Sequence, residues 1–215
     1  MKILEKFNIK PNNYKLYEAA FTHTSYSNEN NGCESYERLE FLGDAVLELI
    51  ISDYLYNEKH LEEGTMTKMR SSYVCEMACA TYAHDLGFEN DIRLGSGEES
   101  ANVTIMADVF ESFIGATYLD QGYEFINKIV LDIITEYINK GIDFLHDYKS
   151  ELQELVQTVK KSVVYEVIDE KGPPHNKIFT SQVMVDGMVM GEGTGSSKKS
   201  AEQEAAKMAL SKYVE

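Results

Sequence analysis

Between Pro11 and the adjacent Pro173-Pro174 the chain runs for about 160 residues without a proline. Proline removes a backbone donor and clashes with the helical turn before it, so this stretch is free to build long helices. Apolar residues recur there at helical spacing, as in Leu39-Leu42-Val46-Leu49-Ile50 and Met106-Val109-Phe110-Phe113-Ile114. Residues 125–142 continue the pattern, with Ile126, Ile129, Val130, Ile133, Ile134, Tyr137 and Ile138 on one broad stripe. Gly32, Gly64, Gly87, Gly95, Gly97, Gly122 and Gly141 mark loops or helix ends. These patterns predict an all-α domain over residues 1–145.

The period changes after residue 147. Residues 148–161 form an amphipathic segment carrying Leu152, Leu155, Val156 and Val159. Residues 163–167 read as a strand, followed by a Gly-Pro-Pro loop. Residues 179–185 and 188–193 read as two further strands, joined by the hairpin signal Asp186-Gly187. A last helix, rich in Ala and Glu, opens at Ser196-Ser197-Lys198-Lys199 and reaches Tyr213. The chain is therefore multi-domain: a helical domain, then a small α+β domain of order α-β-β-β-α over residues 147–215. A length of 215 residues suits two such units.

The chain carries 20 Lys+Arg against 36 Asp+Glu, a formal charge of −16. Taken whole, that acidity argues against a polyanionic partner. Divided, it changes meaning. Residues 147–215 hold 9 basic and 11 acidic residues, net −2, and residues 1–146 hold the remaining −14. No apolar run approaches the ~18 residues a membrane span needs, and the start MKILEKFNIK is too polar for an export signal. A cytoplasmic protein with no membrane partner is expected. Cys33, Cys75 and Cys79 lack histidine pairs at ligand spacing and read as reduced, buried thiols.

The excess acid is not scattered. Glu37, Glu40 and Asp44 fall at i, i+3 and i+7, on one face of a helix. Asp108 and Glu111 form a second i, i+3 pair inside an otherwise apolar helix. Neither group has a lysine at those offsets, and stacked like charges destabilise a helix unless a cation lies between them. Oxygen donors without histidine or thiolate suit a hard ion, Mg²⁺ or Mn²⁺, which polarises a phosphodiester and activates water. A solvated acidic face fits the same spacing, and spacing alone does not choose between them.

Residues 36–47, YERLEFLGDAVL, closely resemble the signature of the ribonuclease III family, and ADVFE at 107–111 resembles its second acidic motif. Glu62-Glu63-Gly64 ahead of Met69-Arg70 is similar to its third acidic element, and AFTHTSY at 20–26 to its N-terminal block. The resemblance implies that Glu40, Asp44, Asp108 and Glu111 are catalytic residues that gather Mg²⁺, with Mn²⁺ as a substitute. It implies supporting acids near the cut at Glu37 and Glu63, and a homodimer interface at Phe41. No nucleotide cofactor is implied. His23 reads as a capping or hydrogen-bonding residue rather than a base. One departure stands out: residues 100–104, SANVT, contain no Arg or Lys where the family usually has a longer basic loop.

In the second domain, GPPH at 172–175, GEGTGSSKK at 191–199 and AEQ-AA at 201–206 resemble the double-stranded-RNA-binding domain. Lys198 and Lys199 sit where a Gly-rich loop meets a helix start, whose dipole favours phosphate. The resemblance implies RNA contacts from Ser150, Gln153, Glu154 and His175 as well as these lysines, reading duplex shape and 2′-hydroxyls. Together the motifs imply a Mg²⁺-dependent endoribonuclease of double-stranded RNA leaving 5′-phosphate and 3′-hydroxyl ends, with ribosomal and messenger RNA precursors as substrates. A protein that binds duplex RNA without cutting it is the alternative from another class.

Overall fold

The structure, a computed structural model, describes residues 1–172 and 177–213. The chain divides into two compact units, Met1–Leu145 and His146–Glu215. Among the described residues no helix is long and apolar enough to cross a membrane.

The first unit is helical: α1 (Lys2–Lys6), α2 (Tyr14–Ala20), α3 (Thr24–Glu29), α4 (Glu37–Tyr54), α5 (Glu63–Val74), α6 (Glu76–Leu86), α7 (Val103–Gln121) and α8 (Tyr123–Asn139). Helix α4 continues through a π-turn, Leu55–Lys59, and stops at His60, which adopts the left-handed conformation. Helix α7 is the centre of the unit. It buries residues on nearly every side, among them Met106, Val109, Phe110, Phe113, Ile114 and Ala116. A helix so enclosed must be apolar all round, which makes Asp108 and Glu111 on it conspicuous. Its N-cap is Asn102, whose side chain accepts from Ile105 N–H at 2.9 Å. The far end is tied down by Asp120, which accepts from the backbone N–H of Asn12 and Asn13 and from the Tyr17 hydroxyl at 2.7–3.1 Å.

The second unit comprises α9 (Tyr148–Thr158), β1 (Val163–Lys171), β2 (Ile178–Val185), β3 (Met188–Gly195) and α10 (Lys198–Ser211). The strands form one antiparallel sheet in the order β1-β2-β3. Asp186 and Gly187 both take positive φ, as a two-residue hairpin turn of the primed type requires. The sheet packs its inner face, including Val183 and Val185, on Leu152 and Val156 of α9 and on Ala205, Ala206 and Ala209 of α10.

Several element ends differ from the sequence reading, and two of them have a clear local cause. Helix α9 stops at Thr158 rather than 161, because Lys160 turns left-handed and the chain reverses into β1. Strand β1 runs four residues past Val167, its pairing with β2 resuming across an irregularity between Val167 and Asp169. A local apolar alternation does not report such a bulge. Pro173 and Pro174 of the Gly-Pro-Pro loop, and His175 with them, lie outside the described residues.

Candidate active site

The site is set by the crossing of α4 and α7. A methyl group on Gly43 would overlap the carbonyl oxygen of Glu111 and lie 2.6 Å from its carbonyl carbon and 2.9 Å from Gly115 N. One on Gly115 would overlap the carbonyl oxygen of Leu39. The two backbones touch at this paired glycine contact, and only residues without Cβ permit it. On α4, Glu40 lies about one turn before Gly43 and Asp44 directly follows it; on α7, Glu111 and Asp108 lie about one and two turns before Gly115. The crossing thus turns two helix-local acidic faces toward each other.

The electrostatics record that approach. Glu111 is half-buried, and its carboxyl is pushed up to about 8, first by burial and then by Asp44, Glu40 and Asp108. Glu40 is raised by burial and by Asp108, Glu37 and Asp44. Asp108 is raised chiefly by burial, with Glu76 adding to it, while the Tyr36 hydroxyl opposes the rise. Asp44 is exposed at the mouth of the cluster. Among the described residues none of the four forms an ion pair with Lys, Arg or His. Four carboxylates facing each other without a counter-charge are unfavourable in the folded chain alone. Among the described residues, no three donor side chains of the His, Cys, Asp or Glu types already converge on one ion position. The donor set is nonetheless hard oxygen throughout, negative and partly desolvated, which fits a hard divalent cation.

Other sequence-derived residues lie farther from this centre. Glu37 is exposed at the first turn of α4 and reaches the group only through its field on Glu40. Glu63 opens α5, accepts from Thr67 Oγ1 at 3.1 Å, and lines a separate groove of about 500 Å³ with Leu49, Tyr56 and Arg70. Phe41, on α4 between the two acidic residues, is 83% exposed. His23 caps α3 through Nδ1, 2.7 Å from Ser25 Oγ. Of residues 100–104, Val103 and Thr104 open α7 behind the Asn102 cap, and Thr104 Oγ1 donates to Glu76 at 2.5 Å.

The thiols correct the sequence reading in part. Cys79 is buried, but Cys75 is half-buried and Cys33 is exposed, because Cys33 lies in the turn between α3 and α4 rather than on an apolar helix face. Cys79 Sγ lies 3.8 Å from Glu111 Oε1, a contact no spacing pattern suggested. Tyr36, whose hydroxyl donates to Asp108 Oδ2 at 2.9 Å, was also missed. The sequence places it at the head of the family signature, one residue before the acidic run, and gives no sign of the contact with Asp108.

In the second unit, Ser150, Gln153 and Glu154 are exposed on α9 opposite Leu152 and Val156. The Ser150 hydroxyl is already donated to Asp147 at 2.7 Å as part of the helix cap. Ser197 and Ser200 form a capping box at the start of α10. That box uses the Ser200 N–H and leaves the ammonium groups of Lys198 and Lys199 at the positive end of the helix dipole. Both lysines are exposed and, among the described residues, unpaired, whereas Lys177 pairs with Glu170 and Lys171 with Asp169.

Comparison with known proteins establishes the family and the domain order. Residues 13–138 match the family model described as Ribonuclease-III-like, and residues 148–213 match the double-stranded RNA binding motif. The chain belongs to the ribonuclease III family. Its family relatives include Ribonuclease 3 of Onion yellows phytoplasma (strain OY-M), 44% identical over 214 residues, covering 98% of this chain and 90% of the relative. Ribonuclease 3 of Anoxybacillus flavithermus is 49% identical over 210 residues, covering 93% and 88%. Among solved structures, the nuclease domain of ribonuclease III from Campylobacter jejuni aligns at a TM-score of 0.58 and 32% identity, covering 63% of this chain and 95% of that one. That structure is described as flexible in a region involved in dimer formation. A helical ribonuclease III nuclease domain followed by a double-stranded-RNA-binding domain is therefore the architecture of this family member.

Proposed function

We propose that the protein is a divalent-metal-dependent endoribonuclease that hydrolyses phosphodiester bonds of double-stranded RNA as a homodimer. The observation that carries this reading is the glycine crossing, which gathers Glu40, Asp44, Asp108 and Glu111 without a protein counter-charge. These four carboxylates would hold Mg²⁺, or Mn²⁺ in its place. The bound ion supplies Lewis acidity toward the scissile phosphate and lowers the pKa of the attacking water.

The chain's own residues do the rest. Glu111, buried deepest, anchors the cluster from α7, and Asp44 faces the incoming backbone from the exposed side. Glu37 would flank the approach to the cut from the first turn of α4, and Glu63 would support the duplex from its own groove at the start of α5. Attack of water on phosphorus with loss of the 3′ oxygen leaves a 5′-phosphate on one fragment and a protonated 3′-hydroxyl on the other. Ser150, Gln153, Glu154, His175, Lys198 and Lys199 hold the duplex through the second unit. A Phe ring left 83% in water calls for cover, and a second copy meeting this face of α4 through Phe41 would give each duplex two sites, one per strand. Ribosomal and messenger RNA precursors in the cytoplasm are the substrates this reading names.

The test is incubation of the full chain with a long RNA duplex in Mg²⁺ and then in EDTA. Scission in Mg²⁺ alone, by protein eluting as a dimer on gel filtration, is the expected result. Retention of the duplex without scission in either condition would leave a binding protein instead.

The lysine pair gives a separate expectation. Lys198→Ala/Lys199→Ala should weaken duplex binding and reduce the slope of log affinity against log salt by up to about two units, since each phosphate contact contributes roughly 0.9. A slope equal to that of the unaltered protein, measured by filter binding across a salt series, would remove these lysines from the interface.

A further inference from the structure

Tyr36 precedes the acidic run and takes no part in the reaction as described above. Its ring is buried, 4% exposed, and its hydroxyl donates to Asp108 Oδ2 at 2.9 Å across 72 residues of sequence. The residue is held from several sides. Its N–H donates to the Thr22 carbonyl at 3.0 Å, and its carbonyl accepts from Ser112 Oγ at 3.3 Å. Its ring lies against that of His23 at a centroid distance of 5.6 Å. His23 is itself fixed, its N–H donating to the Arg93 carbonyl at 3.0 Å and its Nδ1 engaged with Ser25 Oγ.

A phenol locked in this way has a purpose at a carboxylate that a loose one does not. The terminal torsion of an aspartate is broad, so an unattended carboxylate rotates and presents either oxygen. A hydrogen bond to an ionised oxygen is strong and directional, and outer partners of this kind orient the ligands of metal sites. We propose that Tyr36 is a positioning residue for Asp108: its hydroxyl holds Oδ2 and thereby presents Oδ1 to the divalent cation. The inference rests on the metal-dependent reading of the carboxylate cluster and adds to it the element that sets one ligand's direction.

Mn²⁺ alone serves as the probe, its uptake by the metal-free full chain followed through the electron paramagnetic resonance signal of free Mn²⁺. Tyr36→Phe keeps the ring and removes only the hydroxyl; it is expected to weaken Mn²⁺ binding about 10-fold, within the range that loss of such a partner costs. Ser112→Ala loosens the other tie between the two helices but leaves the hydroxyl in place, and should bind Mn²⁺ within about twofold of the unaltered protein. Duplex cleavage by Tyr36→Phe should fall at low Mg²⁺ and recover at saturating Mg²⁺, a pattern general loosening of the fold does not produce. Tyr36→Phe binding Mn²⁺ as the unaltered protein does, or Ser112→Ala weakening it equally, overturns the inference alone. Unaltered protein that takes up no Mn²⁺ overturns the metal reading beneath it.

Discussion

Glu111→Gln is expected to abolish cleavage while making the metal-free protein more stable at pH 8. The two effects share one cause. Burial and three neighbouring carboxylates push the Glu111 carboxyl up to about 8, against an ordinary value of 4.5 in the unfolded chain. Between those two values the folded state holds a proton that the unfolded state has released. Stability of the metal-free protein therefore falls as pH rises from about 4.5 to 8, and the loss is complete above that window. Glutamine is neutral at every pH and removes the effect. At pH 8 the variant should gain on the order of 2 kcal/mol, a discounted figure because the site is only partly desolvated and can relax. Thermal melting across pH 5–9 reads this directly: the unaltered, metal-free protein loses stability through the window, and Glu111→Gln loses markedly less, the remainder coming from the raised carboxyls of Glu40 and Asp108. Duplex cleavage in Mg²⁺ should drop by more than about 100-fold, beyond what removal of an outer-shell partner costs. Added Mg²⁺ should raise the melting temperature of the unaltered protein much more than that of the variant, since only a bound ion shifts the equilibrium. A variant that is less stable at pH 8 and cuts at the original rate would sink the assignment.

Gly43→Ala has the second large effect, and it is structural before it is catalytic. The added methyl meets backbone of Glu111 and Gly115, which cannot swing aside as a side chain does. Helices α4 and α7 must separate, opening voids along a seam that includes Leu39, Val46, Phe110 and Ile114. The cost is expected at the upper end of overpacking effects, about 3 kcal/mol, lowering the melting temperature by on the order of 10 °C. Cleavage should fall with it, because the same movement draws Glu40 and Asp44 away from Asp108 and Glu111. Gly64→Ala provides the contrast. Gly64 lies in the first turn of α5 with nothing within 4 Å of the added atom, so alanine there should be neutral or stabilising by up to about 1 kcal/mol. Equal destabilisation by the two substitutions would contradict the crossing.

Those two glycines show how far the sequence can be read. Both stand beside acidic residues; the pattern marks Gly64 as a loop or helix end, and nothing local shows that Gly43 is where two backbones meet. The helices themselves were legible from apolar period, as were the three strands and their hairpin from alternation and Asp186-Gly187. Glu40 with Asp44, and Asp108 with Glu111, were legible as pairs because a spacing of three or four places side chains on one helix face. Phe41 was flagged only through the family signature; its exposure comes from the rotation of α4 on the core. Glu63 was grouped with the other acids by resemblance, yet α5 carries it to a groove of its own with Leu49 and Arg70.

The sequence by itself determined the two-domain order, the helical and sheet elements, and which acidic residues share a face. Each of these follows from interactions between residues a few positions apart. Tertiary structure alone decided that the two acidic faces meet, that Glu111 is the acid driven toward neutrality, and that Tyr36 grips Asp108. Those properties depend on a backbone contact between Gly43 and Gly115, and on desolvation by neighbours distant in the chain. The net charge of −16 is the simplest case of the difference. As a sum it argues against RNA, whereas the packed structure concentrates part of it into one carboxylate cluster and, among the described residues, leaves Lys198 and Lys199 without an ion pair at a helix start.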